Sequence, residues 1–377
     1  MRHVLRTALG IIAIAASAAR TPAQSPSAVV ARDSGATLER LAEGVYAITH
    51  ADAILSFPDG GTDWPHSNVG VIVGSSGVLV VDTDFSPSRA AADIALIRRV
   101  TKLPVRYVVN THWHGDHTHG NAVYADNFPG VIIAGSRDNA GYIGINQARY
   151  PRSSVARGSA ARGVLAGYEA TLARGADSTG RPLTTSERML LTRVIGQWRQ
   201  QLHEFALVRP APPTMLFDTT LSIDLGGRRV ELVNRGHANS PSDVTVYVPA
   251  ERVLLTGDIV VWPVPYTFDA YPTHWIRVLR DLERMPAAAI VPGHGSVFTD
   301  FTYVRQLREL LEHAVGRADS LIRTGMLRPQ IERAVDLSDR KARFVRPGNA
   351  GDEAMWQAAI ESSLMERVYQ CLVGSRC

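Results

Sequence analysis

The sequence predicts an α/β fold in which two β-sheets pack face to face and helices cover both outer faces, a four-layer αβ/βα sandwich. Short apolar runs rich in β-branched residues occur in two groups, and turn residues separate the runs within each group. The runs are 45–49, 68–73 and 78–81 in the first group, and 220–224, 229–233, 244–248 and 253–255 in the second. Helix-compatible segments at 88–100 and 271–284 follow the two groups, so each sheet gains a helical layer.

Residues 44–300 are predicted to form this sandwich, with residues 138–216 as a helical insertion. Within the insertion, 160–174 is compatible with a helix that Gly175 ends, and Thr184 and Glu187 match a capping box for a helix that continues to Leu207. The insertion either covers the mouth of a functional site and influences substrate choice, or serves as scaffold. Residues 301–377 are predicted to be a helical C-terminal extension, with helices at 301–323 and 352–372.

The N-terminus has the features of an export signal. Residues 1–23 contain Arg2 and Arg6, then an apolar run, then small residues, which is typical of a secretory signal peptide. The apolar run is too short for a spanning helix, although an uncleaved anchor is the alternative. Residues 24–43 are interpreted as a leader. We therefore expect a periplasmic or secreted protein without stable membrane association, in which Cys371 and Cys377 form a disulfide.

The composition predicts a globular unit that acts on small molecules rather than on nucleic acid. The 377 residues are 45% hydrophobic and 20% charged, with a formal net charge of +4. This length and apolar content are enough for a substantial core. The basic residues are scattered and do not alternate with aromatic residues in one run, so no nucleic-acid partner is expected. The oligomeric state is left open.

Residues 111–121, Thr-His-Trp-His-Gly-Asp-His-Thr-His-Gly-Asn, carry the strongest chemical signal. They follow the strand-like run 105–110 and place metal-ligand types within six residues, namely His112, His114, Asp116 and His117. Side chains two residues apart in extended backbone point to the same side, and Gly115 allows a turn before the second pair. One loop can therefore serve two adjacent metal positions.

Three further metal-ligand types stand beside glycine just beyond short apolar runs. They are His237 in Arg-Gly-His-Ala, Asp258 in Thr-Gly-Asp, and His294 in Pro-Gly-His-Gly. Glycine permits close backbone approach at a crowded site, and loops at strand ends often carry function.

This ordered set of motifs resembles that of the metallo-β-lactamase superfamily, over about residues 44–294. The resemblance implies one zinc ion held by His112, His114 and His237, and a second held by Asp116, His117 and His294, with Asp258 bridging both. It also implies that Asp82 supports the metal loop through hydrogen bonds. A helix N-cap role is the competing interpretation for the neighbouring Asp84 or Ser86.

The predicted function is hydrolysis of an ester, thioester, lactone or amide carbonyl by a hydroxide held between two zinc ions, with Asp116 at the catalytic centre. A zinc β-lactamase is the first alternative. An Asp at the position of Asp258, however, makes the motif resemble that of thioesterases and lactonases of the glyoxalase II type. An iron-dependent oxidoreductase is the second, since relatives of this family accept iron or manganese. A metal-binding protein without catalysis is a third interpretation.

Aromatic residues near these motifs are candidates for an apolar substrate wall. They are Trp64, Trp262, Tyr266 and Tyr271, for which ordinary packing is the competing account. His119 neighbours the motif but has no ligand role in the resemblance. His66 has no recognisable partner and is interpreted as a surface residue.

Overall fold

The computed structural model describes residues 28–33, 35–50 and 66–374. Within these ranges an eight-stranded sheet has the order β1-β2-β3-β4-β5-β6-β7-β8, antiparallel from β1 to β5 and parallel from β5 to β8. Its strands are β1 Ala28–Arg32, β2 Thr37–Ala42, β3 Val45–Thr49, β4 Val69–Val73, β5 Val78–Val81, β6 Val105–Val109, β7 Ile132–Ser136 and β8 Met215–Phe217. Two of these strands, β1 and β2, come from the segment interpreted from sequence as a leader.

A second sheet of five strands has the order β13-β12-β11-β10-β9 and is antiparallel except for the β12–β13 pair. The strands are β9 Thr220–Asp224, β10 Arg229–Asn234, β11 Val244–Val248, β12 Val253–Leu255 and β13 Ala289–Val291. The predicted runs in the second half of the chain are therefore neighbouring strands of one sheet.

Alternation along the strands explains why both faces of the large sheet are buried. Leu79 and Val81 of β5 join the core between the two sheets, whereas Val78 and Val80 join the core beneath the helices. The sheets approach closely at Gly70, where an added Cβ would lie 2.0 Å from Leu255 Cδ2. The layer order is helix, sheet, sheet, helix, which confirms the predicted αβ/βα sandwich.

The helices fall into three groups. On the large sheet lie α1 Pro87–Val100, the short α2 Gly115–Thr118 and α3 Asn121–Asn127; the insertion forms α4 Arg137–Val155, α5 Ala160–Arg174 and α6 Thr185–Leu207. Outside the small sheet lie α7 Pro272–Leu282, α8 Thr302–Arg323, α9 Arg328–Ala334, α10 Ser338–Lys341, α11 Ala350–Met355, a π-helical segment Trp356–Leu364 and α12 Met365–Val373.

Local sequence signals account for several of these boundaries. The Ser86 hydroxyl caps α1 by accepting from Arg89 N, and Pro87 follows it as the first helical residue. Thr184 and Glu187 form both bonds of the capping box that begins α6. Gly175 ends α5 in a left-handed conformation with φ 69°.

The C-terminal extension shares one core with the small sheet. Leu254 of β12 and Leu279 of α7 belong to the same buried cluster as Leu311, Trp356 and Val368. Cys371 is bonded in a disulfide; Cys377, the partner predicted for it, lies outside the described residues, as do Trp64 and the predicted signal peptide. No described helix is both long and apolar enough to cross a membrane.

Candidate metal centre

The metal-ligand candidates meet at one edge of the sandwich because each follows the end of a strand. The histidine loop follows β6, Asp258 lies in a 3-10 turn after β12, and His294 follows β13. Two groups of ligand atoms result, with all atoms of a group within 4.8 Å of one another. One group consists of His112, His114 and Asp258, and the other of Asp116, His117, Asp258 and His294.

Asp258 belongs to both groups. Its Oδ2 lies 3.6 Å from His112 Nε2, and its Oδ1 lies 3.2 Å from His117 Nε2 and 3.4 Å from His294 Nε2. The side chain is 1% exposed, and neither oxygen has a hydrogen-bond partner within the described residues. Glycine at position 293 makes room for the carboxylate, since an added Cβ there would lie 2.0 Å from Asp258 Oδ1. A buried carboxylate with two unpartnered oxygens fits a carboxylate that bridges two cations.

Each of the four histidines also has one ring nitrogen engaged by the protein and the other turned inward. His117 Nδ1 donates to Asp82 Oδ2 at 2.8 Å, and His294 Nδ1 donates to the His66 carbonyl at 3.0 Å. His112 Nδ1 lies 3.1 Å from Thr111 Oγ1, and His114 Nε2 lies 3.2 Å from Asp269 Oδ2. The inward nitrogens include His112 Nε2 and His114 Nδ1, which are 2.9 Å apart. Outer hydrogen bonds that leave the inner nitrogen available are typical of metal-binding histidines.

Asp82, to which the resemblance assigned the support of the histidine loop, accepts three hydrogen bonds from that loop. Its Oδ1 accepts from Thr111 N at 2.8 Å, and its Oδ2 accepts from Thr111 Oγ1 at 2.8 Å in addition to His117. Asp82 has φ 62°, a conformation that is unfavourable for residues other than glycine. Asp82 therefore keeps an unfavourable backbone conformation, and its side chain orients the histidine loop from there.

The electrostatics of the centre follow from packing imidazoles and carboxylates together in a buried space. Burial and the neighbouring His117 and His114 hold the pKa of His112 well below its usual value. Burial opposes the charged form of His117, but the carboxylates Asp258, Asp116 and Asp82 outweigh it and raise its pKa well above the usual value. For Asp116, burial is outweighed by His117 and His294, and the pKa of the carboxyl is well below its usual range.

The structure does not place His237 with the other predicted ligands. Among the described residues, His237 belongs to neither group; it is exposed, and its ring stacks on Tyr271 with centroids 4.2 Å apart. Six of the seven predicted ligands therefore meet. Stacking on the Tyr271 ring accounts for the observed orientation of His237. The local motif at 236–237 could not predict this contact, because Tyr271 lies more than thirty residues further along the chain.

The predicted aromatic wall divides in the structure. The Tyr266 ring lies 5.3 Å from the His294 ring and so borders the centre. Trp262 packs instead against the C-terminal core, where Arg346 stacks on it at 5.2 Å, and Tyr271 stacks on His237. Trp113, inside the histidine motif, was not predicted for this wall, but its ring lies 4.7 Å from His114 and 6.0 Å from Tyr142 of α4.

His66 corrects the interpretation of a surface histidine without partners. Its Nδ1 lies 2.5 Å from Asp84 Oδ1, and its carbonyl accepts from His294. Asp84 is completely buried and forms a third His/Asp group with His50 and Asp93. Arg89 donates to Asp93 Oδ1 at 2.9 Å, so a cationic side chain already pairs with one of these carboxylates. We interpret this third group as a charge network behind the centre.

The insertion contacts the histidine loop through α4. Gln147 Nε2 donates to the Thr118 carbonyl at 2.7 Å, and His119 Nε2 lies 2.9 Å from Asn146 Oδ1. His119 is buried and stacks on Phe85, with ring centroids 5.3 Å apart. The insertion therefore supports the loop that carries four of the ligand candidates.

This fold and ligand arrangement define a class of protein: an αβ/βα sandwich with two adjoining His/Asp groups at one edge of the sheets. The model of the metallo-beta-lactamase superfamily matches residues 62–294, and the chain belongs to that superfamily.

Two relatives are alkylsulfatases. The chain is 22% identical over 252 residues to a linear primary-alkylsulfatase from Pseudomonas sp. (strain ATCC 19151), a match that covers 65% of this chain and 44% of that protein. The stereoselective inverting sec-alkylsulfatase Pisa1 from Pseudomonas sp. superposes with a TM-score of 0.60 and 17% identity, over 90% of this chain and 50% of Pisa1. This chain thus spans about half the length of either relative.

Proposed function

We propose that this chain is a hydrolase with two zinc ions, which cleaves an ester, thioester, lactone or amide bond in a small molecule. The observation that carries the proposal is the position of Asp258, a buried carboxylate shared by two groups of ligand candidates, with no hydrogen bond to either oxygen among the described residues. Imidazole and carboxylate ligands suit Zn²⁺. When bound, such a metal pair lowers the pKa of water to about 7 and polarises the bond under attack.

The exposed fractions of the ligand candidates support one direction of approach for a substrate. His114 and Asp116 are 24% and 17% exposed, whereas His112 and His117 are fully buried and His294 is 4% exposed. The accessible side of the centre is therefore the side of His114 and Asp116. In the proposed reaction, the Asp116 carboxylate accepts a hydrogen bond from the attacking water and orients it toward the substrate.

The surroundings of this opening favour a substrate with an apolar part. Trp113 contacts His114 and lies near the exposed Tyr142, and Tyr266 borders His294. Phe268, 45% exposed, lies 6.4 Å from the Tyr266 ring. Ligand pockets combine such aromatic walls with a few polar groups that fix orientation.

Hydrolysis of an alkyl sulfate ester is the second candidate. It is supported by the sequence similarity to a linear primary-alkylsulfatase and is compatible with the same aromatic opening. A zinc β-lactamase remains the next alternative, and an iron-dependent oxidoreductase the last.

A substrate panel tests the proposal. Zinc-loaded protein is assayed with S-lactoylglutathione, an acyl-homoserine lactone, nitrocefin, a carbapenem and a primary alkyl sulfate. We expect turnover of the thioester or lactone, a loss of about 100-fold or more in Asp116→Ala, and no loss in His203→Ala, which changes an exposed histidine of α6. Turnover of the alkyl sulfate alone, or of the carbapenem alone, would establish the corresponding alternative. Zinc-loaded protein that hydrolyses none of the five would contradict the proposal.

We also propose that the protein is exported, on the basis of residues 1–23. N-terminal sequencing of protein from a periplasmic fraction is expected to find the mature chain beginning after Ala18 or Ala23, because small residues typical of a cleavage site precede both points, in Ala16-Ser17-Ala18 and Thr21-Pro22-Ala23. Recovery of the uncleaved chain in the cytoplasm alone would contradict export.

A further inference from the structure

The loop that follows Asp258 is held by the C-terminal segment of the chain. Ser363 Oγ donates to the Thr267 carbonyl at 3.2 Å, and Thr267 Oγ1 donates to the Ala359 carbonyl. Arg367 of α12 donates through Nε to the Phe268 carbonyl at 2.6 Å. The C-terminal extension thus determines where residues 267–269 lie relative to the sandwich.

Asp269 extends this connection to the candidate metal centre. Arg367 Nη2 lies 3.3 Å from Asp269 Oδ1, and the second carboxylate oxygen, Oδ2, lies 3.2 Å from His114 Nε2. A chain of contacts therefore runs from α12 through a carboxylate to one of the metal-ligand candidates. The contact lies at the accessible side of the centre, since the Asp269 side chain is 38% exposed.

The orientation of His114 gives this contact a chemical role. With Nε2 toward Asp269, the other nitrogen, Nδ1, faces His112 Nε2 at 2.9 Å. A carboxylate that accepts from Nε2–H favours the tautomer in which Nδ1 has a free lone pair, which is the form that binds a metal ion. Asp269 thus contacts the outer nitrogen of His114, just as Asp82 contacts the outer nitrogen of His117.

We propose that Asp269 is a positioning residue for the metal ion held by His112, His114 and Asp258, and that Arg367 of α12 holds Asp269 in place for that role. The inference rests on the metal centre of the proposed function and extends it: the C-terminal extension contributes to the affinity of one of the two metal positions. His237, which sequence resemblance assigned to the same position, does not belong to this group within the described part of the chain.

Zinc competition measures the effect directly. The full-length protein is stripped with a chelator and titrated with Zn²⁺ against a chromophoric chelator, which resolves a tighter and a weaker equivalent. Asp269→Ala is expected to lower the affinity of one equivalent by about 10- to 100-fold and to leave the other unchanged. Asp269→Asn keeps an acceptor oxygen, so its loss is expected to be smaller. Arg367→Ala should change the same equivalent as Asp269→Ala.

A second readout separates positioning from general destabilisation. Nitrogen chemical shifts of histidine side chains in the metal-free protein report the tautomer of each ring, and we expect the Nε2–H form of His114 to be lost in Asp269→Ala. Asp319→Ala and Arg323→Ala serve as matched controls, since these residues form an exposed ion pair on α8. Both controls should bind zinc as the wild type does.

The possible outcomes distinguish this inference from the proposed function. Wild-type zinc binding at both equivalents in Asp269→Ala would overturn the inference, as would an equal loss at both equivalents together with an unchanged His114 tautomer. A wild-type protein that binds a single equivalent would also overturn it. Failure of the substrate panel on protein that binds two equivalents, with the selective loss present in Asp269→Ala, would contradict the proposed function alone.

Discussion

Asp82 Oδ2 lies 2.8 Å from His117 Nδ1, and both side chains are buried. The same carboxylate accepts two hydrogen bonds from Thr111, so one residue at the end of β5 fixes both the start of the histidine loop and the direction of the His117 ring. The precision of the site thus depends on a contact between two strand ends that adjoin in the large sheet.

Asp82→Ala should weaken zinc binding at the position of Asp116, His117 and His294 by about 10- to 100-fold, because His117 loses the partner that orients it. The variant should also lose about 1–3 kcal/mol of stability, since Thr111 N is left unsatisfied. Zinc competition and urea unfolding measure the two effects. Asp224→Ala, at the exposed end of β9, is the control, and equal zinc affinity in Asp82→Ala and the wild type would contradict the expectation.

Purified protein is expected to contain about two equivalents of zinc per chain, because two ligand groups adjoin at Asp258. Elemental analysis after dialysis measures the content. One equivalent of iron with little zinc would instead favour the oxidoreductase alternative.

Asp258→Ala should reduce the zinc content by at least about one equivalent and abolish most turnover, since both groups lose a shared ligand. Asp258→Cys and Asp258→Ser test whether another side chain can replace the carboxylate, and both should depress turnover of the native substrate. Zinc content and activity are measured on the same samples. Full zinc with full activity in Asp258→Ala would remove this residue from the centre.

Asp243 is expected to make the stability of the metal-free protein depend on pH. Burial raises the pKa of its carboxyl to about 7 from 3.8, despite the hydrogen bonds that it accepts from Ser240. The unfolded chain releases this proton near pH 4 and the folded chain near pH 7. Because the folded state binds the proton more tightly, the stability that the neutral Asp243 carboxyl contributes is fully present below about pH 4 and is lost as pH rises to about 7. The loss is at most about 4 kcal/mol.

Asp243→Asn removes that titration. Urea unfolding of wild type and variant at pH 5 and pH 8, in the presence of a chelator, should show the variant gaining stability relative to the wild type at the higher pH. A difference between the two proteins that is the same at both pH values would contradict the raised pKa.

Gln147→Ala tests whether the insertion supports the histidine loop. The side chain donates to the Thr118 carbonyl and accepts from Ala211 N, so its removal leaves a buried carbonyl and a half-buried N–H unsatisfied, at a total of about 1–3 kcal/mol. Unfolding experiments should show the loss, and zinc affinity should fall with it. Gln200→Ala, which changes an exposed glutamine of α6, is the matched control and should leave both measurements unchanged. Equal stability and zinc affinity in Gln147→Ala and the wild type would argue against the supporting role.

Local patterns in the sequence were enough for the fold class and most of its elements. The alternating runs predicted the strands of the small sheet, and Ser86, Thr184 and Gly175 marked helix ends because capping depends on residues three or four apart. The histidine motif likewise predicted adjacent ligands, since its spacing lies within one loop. Strands β1 and β2 were missed because residues 24–43 were interpreted as a leader.

Tertiary structure decided which side chains complete the centre. Asp269 is the only acidic residue between Asp258 and Asp281, so the sequence alone could have nominated it as a further polar group near the centre. Its contact with His114, however, depends on α12, which holds the loop from nearly 100 positions later in the chain. The positions of His237 beside Tyr271 and of His66 beside Asp84 likewise depend on how distant loops pack. Residue type and local spacing indicate which groups can bind a metal, whereas packing of the sheets and the C-terminal helices determines which of them meet.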